Sequence, residues 1–233
     1  MKAQDIMTAT VISVPERATV AEATDLMLSH HVSALPVTDA EGKLAGLISE
    51  GDLMRRIRDK DAPRRSWWLD LFKGSGESAQ DFVKARSHKV SDVMTRDVIS
   101  VDEDTSVGAI ARLLEKHRIK RVPVTRHRAI VGIVSRSNLL HALSAIADGA
   151  LPEPSQGDRD LRTRIETALN EVPGITVNLV NFTVDNGHVS VWGIVDSEFE
   201  ENAVRVAVEN VSGVIEIDMQ LGRLSSWAYG YGV

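Results

Sequence analysis

Apolar and polar positions follow the same order twice in the first half of the chain. After Thr19, the residues Val20, Ala23, Leu26 and Met27 recur at helical spacing, and Glu22 sits where it completes a capping box with Thr19. The runs "SALPVTD" and "KLAGLIS" have β character and are joined at Ala40-Glu41-Gly42, a hairpin turn. The serine ending the second run opens another helix. The predicted order is a short extended lead-in, helix, strand, strand, helix. The tail follows another pattern. Leu161, Ile165 and Leu169 share a helix face, and "ITVNLVNFTVDNGHVSVWGIV" alternates through two strands turning at Asp185-Asn186-Gly187. A second helix, "SEFEENAVRVAVENV", and a last strand, "GVIEIDMQLG", complete an αββαβ domain.

The repetition extends to the residues themselves. "DIMT" at Asp5 meets "DVMT" at Asp92, "VISV" falls on "VISV", His30 on His117 and "PVT" on "PVT", so the first half is a duplication. The division is 1–58 for the first copy, 59–88 for an insert, 89–147 for the second copy, 148–157 for a Pro/Gly/Ser linker, 158–224 for the αββαβ domain and 225–233 for a tail.

Composition narrows the chemistry. Of 233 residues 43% are hydrophobic but only 4% aromatic, so the cores must be built from Val, Ile, Leu and Ala. The absence of cysteine excludes a disulfide framework, a thiol nucleophile and a sulfur-ligated zinc site. The amino terminus lacks the apolar stretch of a secretory signal, and no run approaches the roughly 20 apolar residues of a membrane span. A cytoplasmic protein is expected. Residues 1–150 hold 22 Lys+Arg against 20 Asp+Glu, whereas residues 151–233 hold 5 against 13. So acidic a tail domain is a poor partner for nucleic acid or anionic lipid.

The histidines form no metal motif, and neither a nucleophile elbow nor a phosphate-binding Walker loop occurs, so an enzyme is not expected. "RRSWWLDLF", with Trp67 and Trp68, suits either packing against its own or a second subunit or lying in a membrane interface. The chemistry that stands out is at the strand-to-helix junctions: Ser49-Glu-Gly-Asp52 in the first copy and Ser135-Arg-Ser-Asn138 in the second. Serine and aspartate three residues apart make a helix cap. The same free N–H groups also suit a phosphate or hydroxyl-rich ligand, and a carboxylate one turn in can accept both hydroxyls of a ribose.

The duplicated half resembles a tandem pair of CBS domains, a Bateman module. The resemblance rests on "DIMT"/"DVMT", "LPVTD"/"VPVT" and the Gly-apolar-apolar-Ser-x-x-Asp segment, in order and in duplicate. It implies a mixed α+β and α/β fold in which two units pack as a pseudo-symmetric pair. It also implies clefts that bind AMP, ADP, ATP or S-adenosylmethionine as regulatory ligands, and a homodimer. Ser49 and Asp52, with Ser135 and Asn138, would hold ribose. Val11, Ile12, Leu35, Pro36, Val98, Ile99, Val122 and Pro123 would enclose adenine, unless they are ordinary core residues. Lys120, Arg121 and Arg136 are the candidates for phosphate. An amide cannot act as a charged double acceptor, and a charged hydrogen bond exceeds a neutral one by enough for about a tenfold change in affinity. The cleft using Asp52 should therefore be the tighter. The tail resembles a BON domain through "DNGHVSVWGIVDS" and "NVSGVIEID", which implies a protein or lipid partner. Two functions follow as expectations: a nucleotide sensor, or an envelope-associated adaptor in which the CBS pair is a dimerisation platform.

Overall fold

A computed structural model describes residues 1–54, 88–144 and 153–223. The Trp67-Trp68 segment and the tail 225–233 lie outside the described residues. The duplicated half contains α1 (Ala3–Ile6), β1 (Val14–Pro15), α2 (Val20–Ser29), β2 (Ala34–Thr38) and β3 (Leu44–Ser49), with a further helix opening at residue 50. The second copy repeats the order as α3 (Val90–Val93), β4 (Val101–Asp102), α4 (Val107–Lys116), β5 (Arg121–Arg126), β6 (Ala129–Ser135) and α5 (Arg136–Ser144). Then come α6 (Gln156–Asn170), β7 (Val180–Asp185), β8 (His188–Val195), α7 (Glu198–Glu209) and β9 (Glu216–Arg223).

Local signals account for the element ends. At the start of α2, Thr19 Oγ1 accepts from the Glu22 amide at 3.2 Å while the Glu22 carboxylate accepts from the Thr19 amide at 2.7 Å. This is the predicted capping box. The helix closes with His31 in the left-handed region at φ 53° and the Val32 amide donating to Met27 O at 3.0 Å. The second copy repeats that closure with Arg118 at φ 54° and Ile119 donating to Leu114 O. His30 and His117 are the C-cap residues of these helices. The expected turn at Gly42 also forms, with φ +77° and Asp39 Oδ1 accepting from the Glu41 and Lys43 amides at 3.1 and 2.8 Å.

Compact units do not follow the boundary between copies. One unit holds Ile12–Ile99 with His127–Ile130; the other holds Met1–Val11, Ser100–Arg126 and Val131–Val233. In the first, β1 runs parallel to β2, and β2 antiparallel to β3. Its core of Val14, Ala23, Met27, Leu35, Val37 and Ile48 is completed by Val90, Val93 and Met94 from the second copy's lead-in. Thr95 and Leu47 exchange backbone hydrogen bonds at 2.8 and 2.9 Å. In the other unit the sheet order is β4-β5-β6, and the first copy's lead-in makes the equivalent exchange, Thr8 with Ile133 at 2.9 and 3.0 Å.

Two repeated motif residues are a matched pair in this exchange. Met94 lies over Gly46, so a Cβ there would come 2.5 Å from Met94 Sδ and 3.0 Å from Thr95 O; Met7 fills the same place over Gly132. Gly46→Val is expected to displace Met94 and to cost about 1–3 kcal/mol. Urea unfolding checks this, and an unchanged midpoint would show that the close approach is not needed.

The carboxyl-proximal domain belongs to the second unit and is αββαβ as expected. Its α6 begins at Gln156, inside the stretch read as linker. Ser155 Oγ accepts from the Asp158 amide at 3.1 Å, and Asp158 accepts from the Ser155 amide at 3.0 Å and from the Gly187 amide at 3.1 Å. Burial pushes the Asp158 carboxyl up, but these hydrogen bonds outweigh it and hold the group below its usual range. Asn186 and Gly187 turn the hairpin at φ 50° and 81°. Strand β7 pairs antiparallel with β8, and β8 parallel with β9 through the α7 crossover. Leu161, Ile165 and Leu169 of α6 pack on Phe182, Val184, Val189 and Val191.

Candidate functional site

Strand β3 delivers Ser49 to the start of a helix. The Ser49 amide and hydroxyl both donate to Asp52 Oδ2, at 2.9 and 2.7 Å, and both residues are half-buried. The carboxylate therefore organises the first turn while standing at the surface beside helix N–H groups. A negative charge at that end is favourable. In the second copy Ser135 makes the same pair of bonds to Asn138 Oδ1, at 2.8 and 2.6 Å. The amide thus reproduces the capping function of the carboxylate.

Its other end does something the carboxylate cannot. Asn138 Nδ2 donates to the Ile6 carbonyl at 2.9 Å, and the residue is only 4% exposed. The amide ties α1 into the second copy's unit, because a short helix leaves carbonyls that need outside donors. Asn138 was expected to meet ribose; in this structure it is a buried tether.

The remaining predicted residues divide by burial. Leu35 and Val122 are wholly buried, and Pro36 and Pro123 are buried beside them, so core packing is the part they play here. Val11, Ile12, Val98, Ile99 and Ser135 are half-buried and keep surface for a ligand. Lys120 and Arg136 are exposed and Arg121 half-buried, with the Arg136 amide donating to Lys120 O at 3.1 Å. Arg136 lines a groove of about 430 Å³ with Arg118, Glu115, Ala111, Leu114 and Leu139. Sequence reasoning passed over Asp5, Arg162 and Asn181, which lie buried where the carboxyl-proximal domain meets the first copy's lead-in. The signal was faint: Arg162 stands one position from Leu161, beside the apolar face of its helix.

Among the described residues no helix is long and apolar enough to cross a membrane, and no group of three or more His, Asp or Glu side chains could hold a metal ion.

The family model described as CBS domain matches residues 3–59 and 90–145, and that described as BON domain matches residues 157–221. The chain is similar to Uncharacterized protein YlbB of Bacillus subtilis, 31% identical over 161 residues, which are 67% of this chain and 93% of that protein. It is also similar to Uncharacterized protein MJ1404 of Methanocaldococcus jannaschii, 28% identical over 152 residues, but those span only 34% of that longer relative. Among solved structures it is similar to the crystal structure of CBSX2 in complex with AMP. The identity is 28%, the TM-score 0.53, and the match covers 62% of this chain and 97% of that one. Duplicated lead-ins, matching junctions and these likenesses together make the chain a member of the CBS-domain family, a tandem CBS pair followed by a BON domain.

Proposed function

We propose that the chain is a non-enzymatic, cytoplasmic regulatory protein whose first CBS copy binds an adenine nucleotide, with the BON domain carrying the response onward. The observation that supports this most is the contrast at the two junctions. Asp52 keeps a half-exposed carboxylate at a helix start, whereas the matching Asn138 is buried and spent on Ile6. AMP is the leading ligand, because the similar CBSX2 structure holds it. Asp52 would take the ribose hydroxyls, with Ile12, Val98 and Ile99 of the same compact unit beside the base. Two chains would associate through their CBS pairs. Ligand then acts by favouring one arrangement of the chain over another, since equal affinity for both would shift nothing.

Thermal unfolding with AMP, ATP and S-adenosylmethionine is the test. At a hundred times its Kd a ligand stabilises by about 2.7 kcal/mol, which for a chain of this size raises Tm by roughly 5–10 °C. The absence of a shift with every one of them would overturn the reading in favour of the structural adaptor.

A further inference from the structure

Helix α1 spans only Ala3–Ile6, so its last carbonyls have no amides of their own to meet. The BON domain supplies much of what they lack. Arg162 of α6 is 6% exposed, and its guanidinium donates to Asp5 O at 3.1 Å and Met7 O at 2.7 Å, as well as to Phe182 O at 2.5 Å within its own domain. The group stands 4.6 Å from the centre of the Phe182 ring, and its Nε lies 3.1 Å from Glu166 Oε1 without the alignment of a hydrogen bond.

Other contacts converge on the same segment. The Asp5 carboxylate, itself buried, accepts from Arg159 Nε at 3.1 Å. Asn181 Nδ2 donates to Thr8 Oγ1 at 2.9 Å, and Thr10 Oγ1 to Asn170 Oδ1 at 3.3 Å. Beyond the segment, His141 of α5 stacks on Trp192 of β8, with centroids 4.3 Å apart and planes at 16°. The void left among Thr8, Thr10, Arg162, Glu166, Asn170 and Asn181 is about 20 Å³, room for no more than a water. Among the described residues the matching segment of the second copy is less covered: Thr95, Arg96 and Asp97 are exposed, whereas Thr8, Ala9 and Thr10 are half-buried.

We propose that residues 5–10 are the docking surface of the BON domain, and that Arg162 pins the domain there as a lasting joint. The α6–β7 face of the BON domain then takes its own chain as partner, leaving lipid or another protein to other faces. The duplication thereby divides its labour. One lead-in stays open, while the other became a seat, which is why Asn138 serves as a tether on the same carbonyl row.

Hydrogen exchange on the full chain tests this with Arg162→Met, which keeps an unbranched apolar stem and removes the guanidinium donors. The amides of Met7 and Thr8 are expected to exchange at least about tenfold faster than in the wild type, while β8 and β9 keep their protection. Unchanged exchange at Met7 and Thr8 would overturn the joint. If β8 and β9 lose protection as well, His141→Ala decides by loosening the seat from the CBS side: faster exchange at Met7 and Thr8 supports the joint, and unchanged exchange there overturns it.

Discussion

Asp52→Ala is expected to weaken AMP binding by about a hundredfold or more. Two ribose hydroxyls donating to one carboxylate make two charge-assisted hydrogen bonds, each worth roughly 1.5–3 kcal/mol, and every 1.4 kcal/mol is about a factor of ten in Kd. Alanine also strips Ser49 of the acceptor it now meets at 2.7 and 2.9 Å, so the helix start loses about 1 kcal/mol of capping. Denaturant unfolding separates that loss from the loss of affinity. Asp52→Asn makes the separation sharper, because Asn138 already shows an amide oxygen serving the same serine. The Asn variant should keep near-normal stability while binding falls about tenfold for each charged bond made neutral. Calorimetric titration reads both, and an unchanged Kd in the Ala variant would remove Asp52 from the site.

The reverse exchange carries the second large effect. Asn138→Asp makes the two junctions alike on paper, yet it is expected to destabilise the protein by about 2–4 kcal/mol and to add no binding site. One carboxylate oxygen would still serve Ser135, but the other would face the Ile6 carbonyl where an N–H now donates at 2.9 Å. Two acceptors would then oppose each other at a residue 4% exposed. Burial and that carbonyl both raise the introduced group's pKa, because only the protonated carboxyl can donate. The sign follows: the penalty is full above the raised pKa, shrinks as pH falls through it, and is gone below the ordinary carboxylate pKa. The urea midpoint should therefore drop at neutral pH and partly recover on acidification. A stable variant that took up a second equivalent of AMP would contradict the tether.

Much of the fold was legible in the sequence because the duplication repeats its own punctuation. Thr19 with Glu22, Asp39 with Gly42, and Asn186 with Gly187 each fix a turn or cap by local bonding, and local bonding is what short patterns encode. The exchange of lead-ins was not legible. Met7 and Gly132 are conspicuous as repeated residues, but nothing in their spacing says that they touch. Asn138 misled in the same way: its kinship with Asp52 suggested a weaker ligand contact, while its reason for being an amide is the carbonyl of Ile6, 132 residues away. Arg162 was passed over because helix periodicity assigns faces, not the neighbours that a docked segment brings.

A crystal structure of the chain grown with AMP decides whether Asp52 holds the nucleotide. The ribose 2′- and 3′-hydroxyls are expected within hydrogen-bond distance of the Asp52 carboxylate, with Asn138 still bonded to Ile6 and carrying no nucleotide. AMP held at Asn138, with no ribose hydroxyl at Asp52, would contradict it.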